Sequence, residues 1–161
     1  MSLSIHPLSD LPHVLKRPCR LAALDIGRKT IGLALSTPDW NQVTPFETIQ
    51  RTKWSADVAA LEKALRGFEI GALIVGLPLN MDGSEGKQAQ SVRQTVQNLI
   101  EARPPSLQHC LIAFADERLS TAEAEEILDE HHVSHRAAKE SGALDALAAQ
   151  VILERALKQI A

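Results

Sequence analysis

The stretch Leu21-Ala22-Ala23-Leu24-Asp25-Ile26-Gly27-Arg28-Lys29-Thr30-Ile31-Gly32-Leu33-Ala34-Leu35 decides how the rest of the chain is read. Two short apolar runs flank a tight polar turn at Gly27-Arg28-Lys29, which is the pattern of a β-hairpin. Residues 43–49, bounded by Pro38 and Asn41 on one side and Arg51 on the other, read as a third strand. Beyond them the period changes. Val58, Leu61, Leu65 and Phe68 recur at helical spacing, with Gly71 as the expected break. Residues 72–75 are wholly apolar and of strand length, as in a parallel sheet covered on both faces.

A Pro/Gly/Asn loop, Leu77 to Gly83, leads to a second helix expected from near Ser84. Ala89, Val92, Val96, Leu99 and Ile100 share one face of that helix, and Pro104-Pro105 ends it. Residues 110–114 read as another buried strand ending in Asp116-Glu117-Arg118. Ser120 and Glu123 form a capping box, in which each side chain satisfies a free N–H of a helix start. Polar residues 129–139 follow, and a last helix is expected over 141–158. The order β-β-β-α-β-α-β-α-α predicts an α/β sheet with an antiparallel opening and a parallel remainder. Residues 1–18 lack periodicity and are expected as a flexible N-terminal extension, leaving 19–161 as a single domain.

Composition narrows the class. The 161 residues are 45% hydrophobic and 23% charged, values of an ordinary globular domain rather than a disordered or collagen-like chain. No apolar stretch approaches the length of a membrane span, and the N-terminus has no apolar core of an export signal. Cys19 and Cys110 are the only cysteines, too few for a disulfide framework, so a reduced cytoplasmic setting without membrane contact is expected. The net charge of −3 conceals an asymmetry. Residues 1–36 carry five basic side chains against two acids, whereas residues 116–130 carry seven acids and one arginine.

Three carboxylates stand out. Asp25 interrupts an otherwise apolar strand, where a charge is costly unless it meets a cation, a metal or hydrogen-bond donors; capping the turn at Gly27 is the simpler alternative. Glu117 ends a second apolar strand, where ligands collect in parallel sheets, although taken alone ordinary loop polarity explains it better. Asp145 is the one charge on a stripe continued by Ala148, Ala149, Ile152 and Ala156, and a structural salt bridge is the alternative there. Converging, the three would offer all-oxygen ligation suited to Mg²⁺ or Mn²⁺. No phosphate-binding G-x-x-x-x-G-K-[ST] loop and no C-x-x-C pair competes. His131, His132 and His135 have the spacing of a zinc site but lie in a polar linker.

The strings LAALDIGRKTIGLALS (21–36), IVGLPLNMDGSEGKQAQSV (74–92), DERLSTAEAEEIL (116–128) and LDALAAQVILERAL (144–157) resemble, in order, the four signature blocks of the YqgF/RuvX family. Members of that family are described as pre-16S rRNA processing nucleases and as Holliday-junction resolvases. The resemblance covers about residues 20–160, and Arg28 stands where a small residue such as Thr is common. It implies an RNase H-like fold, with a five-stranded mixed sheet of order 3-2-1-4-5 flanked by helices. It further implies that Asp25, Glu117 and Asp145 are the catalytic, metal-holding acids, with Asp116 a candidate fourth.

The chemistry implied is two-ion phosphodiester hydrolysis. One Mg²⁺ or Mn²⁺ on Asp25 and Asp145 would activate water, and another on Asp25 and Glu117 would stabilise the leaving oxygen. Arg28, Lys29 and Arg118 are placed to meet phosphates, with Asn80 and Lys87 beside them, although any one of these could be a solvated surface charge. Two Trp, three Phe and no Tyr argue against an aromatic stacking platform. Three functions follow as expectations: processing of the 16S rRNA precursor, resolution of four-way DNA junctions, or a nucleic-acid-binding scaffold without hydrolysis. A junction resolvase would act as a dimer; no dimerisation stripe is evident, and a monomer or weak homodimer is expected.

Overall fold

The computed structural model describes residues 3–117 and 143–160. Its strands are β1 (Ser4–Ile5), β2 (Arg20–Ile26), β3 (Thr30–Ser36), β4 (Val43–Gln50), β5 (Ile70–Leu77) and β6 (Leu111–Asp116). Its helices are α1 (Leu11–Val14), α2 (Trp54–Leu65), α3 (Lys87–Ala102) and α4 (Ala143–Ile160). One sheet runs in the order β1-β6-β5-β2-β3-β4. β1, β6, β5 and β2 are parallel neighbours, and β2, β3 and β4 form an antiparallel meander. Without β1, the order is the expected 3-2-1-4-5.

The sixth strand is a correction to the five expected. Residues 4 and 5 pair with Leu111 and Ile112, and the His6 amide donates to the Ile112 carbonyl at 2.7 Å. Leu3 and Leu11, both within the 1–18 segment, are buried. Gly71 is a second correction, since it lies inside β5 rather than breaking the chain before it. A Cβ there would come within 2.7 Å of the Cys19 sulfur, so glycine provides clearance between neighbouring strands. Phe68 falls beyond the end of α2 but still packs on the core.

Alternation along the strands sends their side chains to two different layers. Leu24, Leu33, Leu73, Val75 and Ile112 face a core completed by Leu61 and Leu65 of α2 and Val92, Val96 and Leu99 of α3. On the other side Leu21, Ala23, Ala34, Ala72, Ile74 and Ala113 meet Ala149, Ile152, Leu153 and Ala156 of α4. Among the described residues no helix is long and apolar enough to cross a membrane.

Candidate active site

The α4 face of the sheet becomes smaller toward the C-terminal ends of β2, β5 and β6, and the acids appear there. Asp25 pairs across the hairpin with Gly32, so both positions lie on the same face. A Cβ on Gly32 would fall on the Asp145 carbonyl oxygen, and within 3.1 Å of the Ala146 nitrogen. The first turn of α4 therefore rests directly on β3 beside Asp25, and a side chain at position 32 would hold it off. Gly76 has the same role in β5. A Cβ there would stand 2.8 Å from Glu117 Oε2 and 2.5 Å from Ile152 Cδ1. The Glu117 amide donates to the Leu77 carbonyl at 2.9 Å, which fixes the end of β6 against β5.

Asp25 and Glu117 share a side-chain hydrogen bond. Burial pushes the Asp25 carboxyl up to about 8, and the negative charges of Glu117 and then Asp145 push the same way. Burial also raises Glu117, opposed by the hydrogen bond from Asp25 and by the charge of Arg155. Burial and mutual repulsion thus favour the protonated form of Asp25 over its charged form beside Glu117. Asp145 Oδ2 accepts from the Thr30 hydroxyl at 2.9 Å.

The donor set fits a hard divalent cation in chemistry, because the hydrogen-bonded pair, Asp25 and Glu117, offers carboxylate oxygens with Asp145 beside it. Asp25 and Glu117 would hold such an ion as a pair. Among the described residues no three acids are gathered closely enough to ligate one ion as they stand, and one oxygen of Asp145 is engaged by Thr30.

The other residues singled out by sequence divide into three groups. Arg28 and Lys87 come together on the walls of one cleft. Lys29 is exposed at the hairpin turn, and Asn80 is exposed in the β5–α3 loop. The Asn80 amide donates to Ser84 Oγ at 2.9 Å, so it shapes that loop. Asp116 is exposed and alternates away from the face that carries Ala115 and Glu117. Arg118, the Ser120 cap, the 129–139 stretch and the three histidines lie outside the described residues.

Sequence reading missed three contributors. Thr30 holds Asp145. Arg155 lies three residues beyond Ile152 on α4, a spacing that returns it to the same side. Arg51 donates to the Gly27 carbonyl at 2.7 Å, while its Nε lies 3.6 Å from the buried Asp57 carboxylate, tying the turn after Asp25 to the start of α2. Nothing in the local pattern around Arg51 marks that role.

A mixed sheet of this order, with paired carboxyls at adjacent strand ends and an acidic helix start laid over them, defines an RNase H-like α/β protein. The crystal structure of fowlpox virus resolvase with its Holliday-junction DNA substrate has the same fold, at a TM-score of 0.51 and 10% identity over 87% of this chain and 97% of that one. The chain belongs to the RuvX family, described as Holliday junction resolvase, whose profile matches residues 19–159. A relative from Rhodospirillum centenum named "Putative pre-16S rRNA nuclease" is 40% identical over 158 residues, spanning 98% of this chain and 83% of its own. One of the same name from Rhodobacter capsulatus is 42% identical over 154 residues, spanning 96% and 92%.

Proposed function

We propose that this protein is a metal-dependent endonuclease of the cytoplasm that hydrolyses phosphodiester bonds in structured nucleic acid, with the 16S rRNA precursor as substrate. The observation that carries this reading is the hydrogen-bonded Asp25–Glu117 pair beside Asp145. Half-buried carboxyls so close together are expensive for a fold that makes no use of them, and this speaks against a mere binding scaffold. The names of the curated relatives support the ribosomal substrate.

In this reading Asp25 and Glu117 hold Mg²⁺ or Mn²⁺, and Asp145 completes the set when nucleic acid binds. When bound, such ions supply Lewis acidity, polarising phosphoryl oxygen and lowering the pKa of water. Thr30 keeps Asp145 oriented until then, and Arg155 moderates the charge on Glu117. Arg28, Lys29, Arg118 and Lys87 attract and position phosphates, which fixes register without reading sequence. Asn80 acts through the shape of its loop.

Resolution of four-way DNA junctions is the second reading, favoured by the description of the matching family. The test is cleavage of a labelled 16S precursor fragment beside a four-way DNA junction, with Mg²⁺ or Mn²⁺ and with Asp145→Asn protein in parallel. Cutting of the RNA alone, lost in the variant, is the expected result. Cutting of the junction alone selects the second reading. Equal cutting by the variant, or none of either substrate, overturns the nuclease assignment.

A further inference from the structure

The turn after β2 separates two surfaces of opposite character. Asp25 faces α4, whereas Ile26, one residue on, faces α3 and closes the floor of an open cleft of about 470 Å³. Ile26 and Val92 make that floor apolar, at 7% and 2% exposure. Arg28 rises from the hairpin turn on one wall, and Lys87, Gln88 and Ser91 from α3 on the other. Lys87 and Ser91 stand one helical turn apart and present neighbouring side chains.

Among the described residues none that lines the cleft is acidic. Arg28 and Lys87 have no ion-pair partner among the described residues. The contrast with Arg93, farther along α3, is direct: its guanidinium is held by Glu85 at 2.6 and 3.0 Å and covers the Phe114 ring. Arg93 is a structural cation, whereas those in the cleft stay open to a ligand. The volume is that of a small-molecule pocket. Two cations on facing walls, an apolar floor and hydrogen-bonding groups at the rim match the components of a nucleotide: phosphate, the flat face of base and sugar, and their polar edges.

We infer that this cleft seats one nucleotide unit of a single strand flanking the bond to be cut. The phosphate lies between Arg28 and Lys87, the base or sugar covers Ile26 and Val92, and Gln88 and Ser91 bond its edges. The strand then passes around the Gly27 turn to reach the acids on the other face. The position of the unit within a substrate rests on the nuclease reading above; the binding itself does not.

The test uses the full chain in EDTA, where no cutting interferes. A labelled single-stranded RNA 12-mer is titrated by fluorescence anisotropy over a range of salt, and adenosine 5′-monophosphate is titrated by NMR. The Arg28→Gln/Lys87→Gln protein should bind the 12-mer at least about tenfold more weakly. Its slope of log K against log salt should fall by about 0.7, the value for one single-strand phosphate no longer neutralised. Ser91→Trp, which fills the cleft, and the milder Gln88→Ala should weaken binding with the slope unchanged. Affinities within twofold of the parent in every variant would overturn the inference. So would mononucleotide binding as tight as that of the 12-mer, which would make the ligand a free nucleotide. Cleavage assays separate the two proposals. If Asp145→Asn abolishes cutting while the cleft variants bind normally, only the cleft fails; weakened cleft variants with full cutting by Asp145→Asn leave the cleft standing and remove the nuclease.

Discussion

On the α2/α3 side of the sheet the inward positions are Leu24, Leu33, Leu73, Val75 and Ile112, while on the α4 side they include Ala23, Gly32, Ala34, Ala72, Gly76 and Ala113. Large aliphatics bury the most area per residue and dominate the hydrophobic contribution to folding. Small residues bury less but allow a helix axis to come close, and α4 uses that closeness to set Asp145 beside Asp25. One face therefore holds the fold together, and the other gives up packing volume to bring charges into contact. Mutations on the two faces should separate accordingly.

The largest effect on stability belongs to the packed face. Leu73→Ala removes a fully buried side chain from the middle of the sheet and should cost about 2–5 kcal/mol in urea unfolding. Its activity per folded molecule should remain close to that of the parent, because the α4 side is untouched. A comparable loss of activity in a folded Leu73→Ala protein would mean that the two faces are mechanically coupled.

Gly32→Ala reverses the expectation. The added methyl falls on backbone atoms of Asp145, which cannot rotate away as a flexible side chain would. Overpacking of this kind costs about 1–3 kcal/mol, and the displaced start of α4 should lower cleavage by far more than that loss of stability explains. Normal cleavage rates by Gly32→Ala would show that the close approach of α4 is not what assembles the site.

This division was partly legible in the sequence. The hairpin, the two apolar parallel strands and the three acids stand out because each contradicts or confirms a simple period, as Asp25 does inside Leu24-Asp25-Ile26. β1 was not legible, since two residues contain no period and only the partner strand reveals them. Trp40 was not either: it sits in a turn at φ 62°, buried, with its indole N–H donating to the Cys19 carbonyl at 2.8 Å, a contact across 21 residues. Thr30, Arg51 and Arg155 escaped for the same reason, because a side chain whose partner is distant leaves no mark on its neighbours. Gly71 looked like a helix break because clearance between strands and a loop break use the same residue.

The pH dependence of stability sharpens the contrast further. Asp25 has an ordinary carboxyl value of 3.8 and about 8 in the folded protein. Between those values the unfolded chain has released the proton and the folded chain retains it, so stability falls as pH rises from about 4 to about 8 and levels off above. Asp25→Asn removes the Asp25 contribution to this slope. At pH 8 the variant should be more stable than the parent by at least about 1 kcal/mol, seen as roughly 2–4 °C in Tm, whereas near pH 4 the two should coincide. A parallel pair of Tm-against-pH curves would mean that the Asp25 carboxyl is not held protonated by the fold.

The smallest expected effect tests the most local element, the hydroxyl of Thr30. Thr30→Val keeps the branched shape at the start of β3 and removes only the donor to Asp145 Oδ2. The bond is partly exposed, so its loss should cost about 0.5–1.5 kcal/mol. The functional sign depends on what the bond does. If Thr30 keeps Asp145 near its working position, cleavage should fall, by less than tenfold, and Thr30→Ser should restore it because the serine hydroxyl reaches the same oxygen. If Thr30 instead detains Asp145 away from the other acids, Thr30→Val should cut faster at limiting Mg²⁺ while Thr30→Ser stays at the parent rate. Because Asp145 is bound to Thr30 while Asp25 and Glu117 are bound to each other, the outcome separates a site assembled by the fold from one whose third acid must be drawn in.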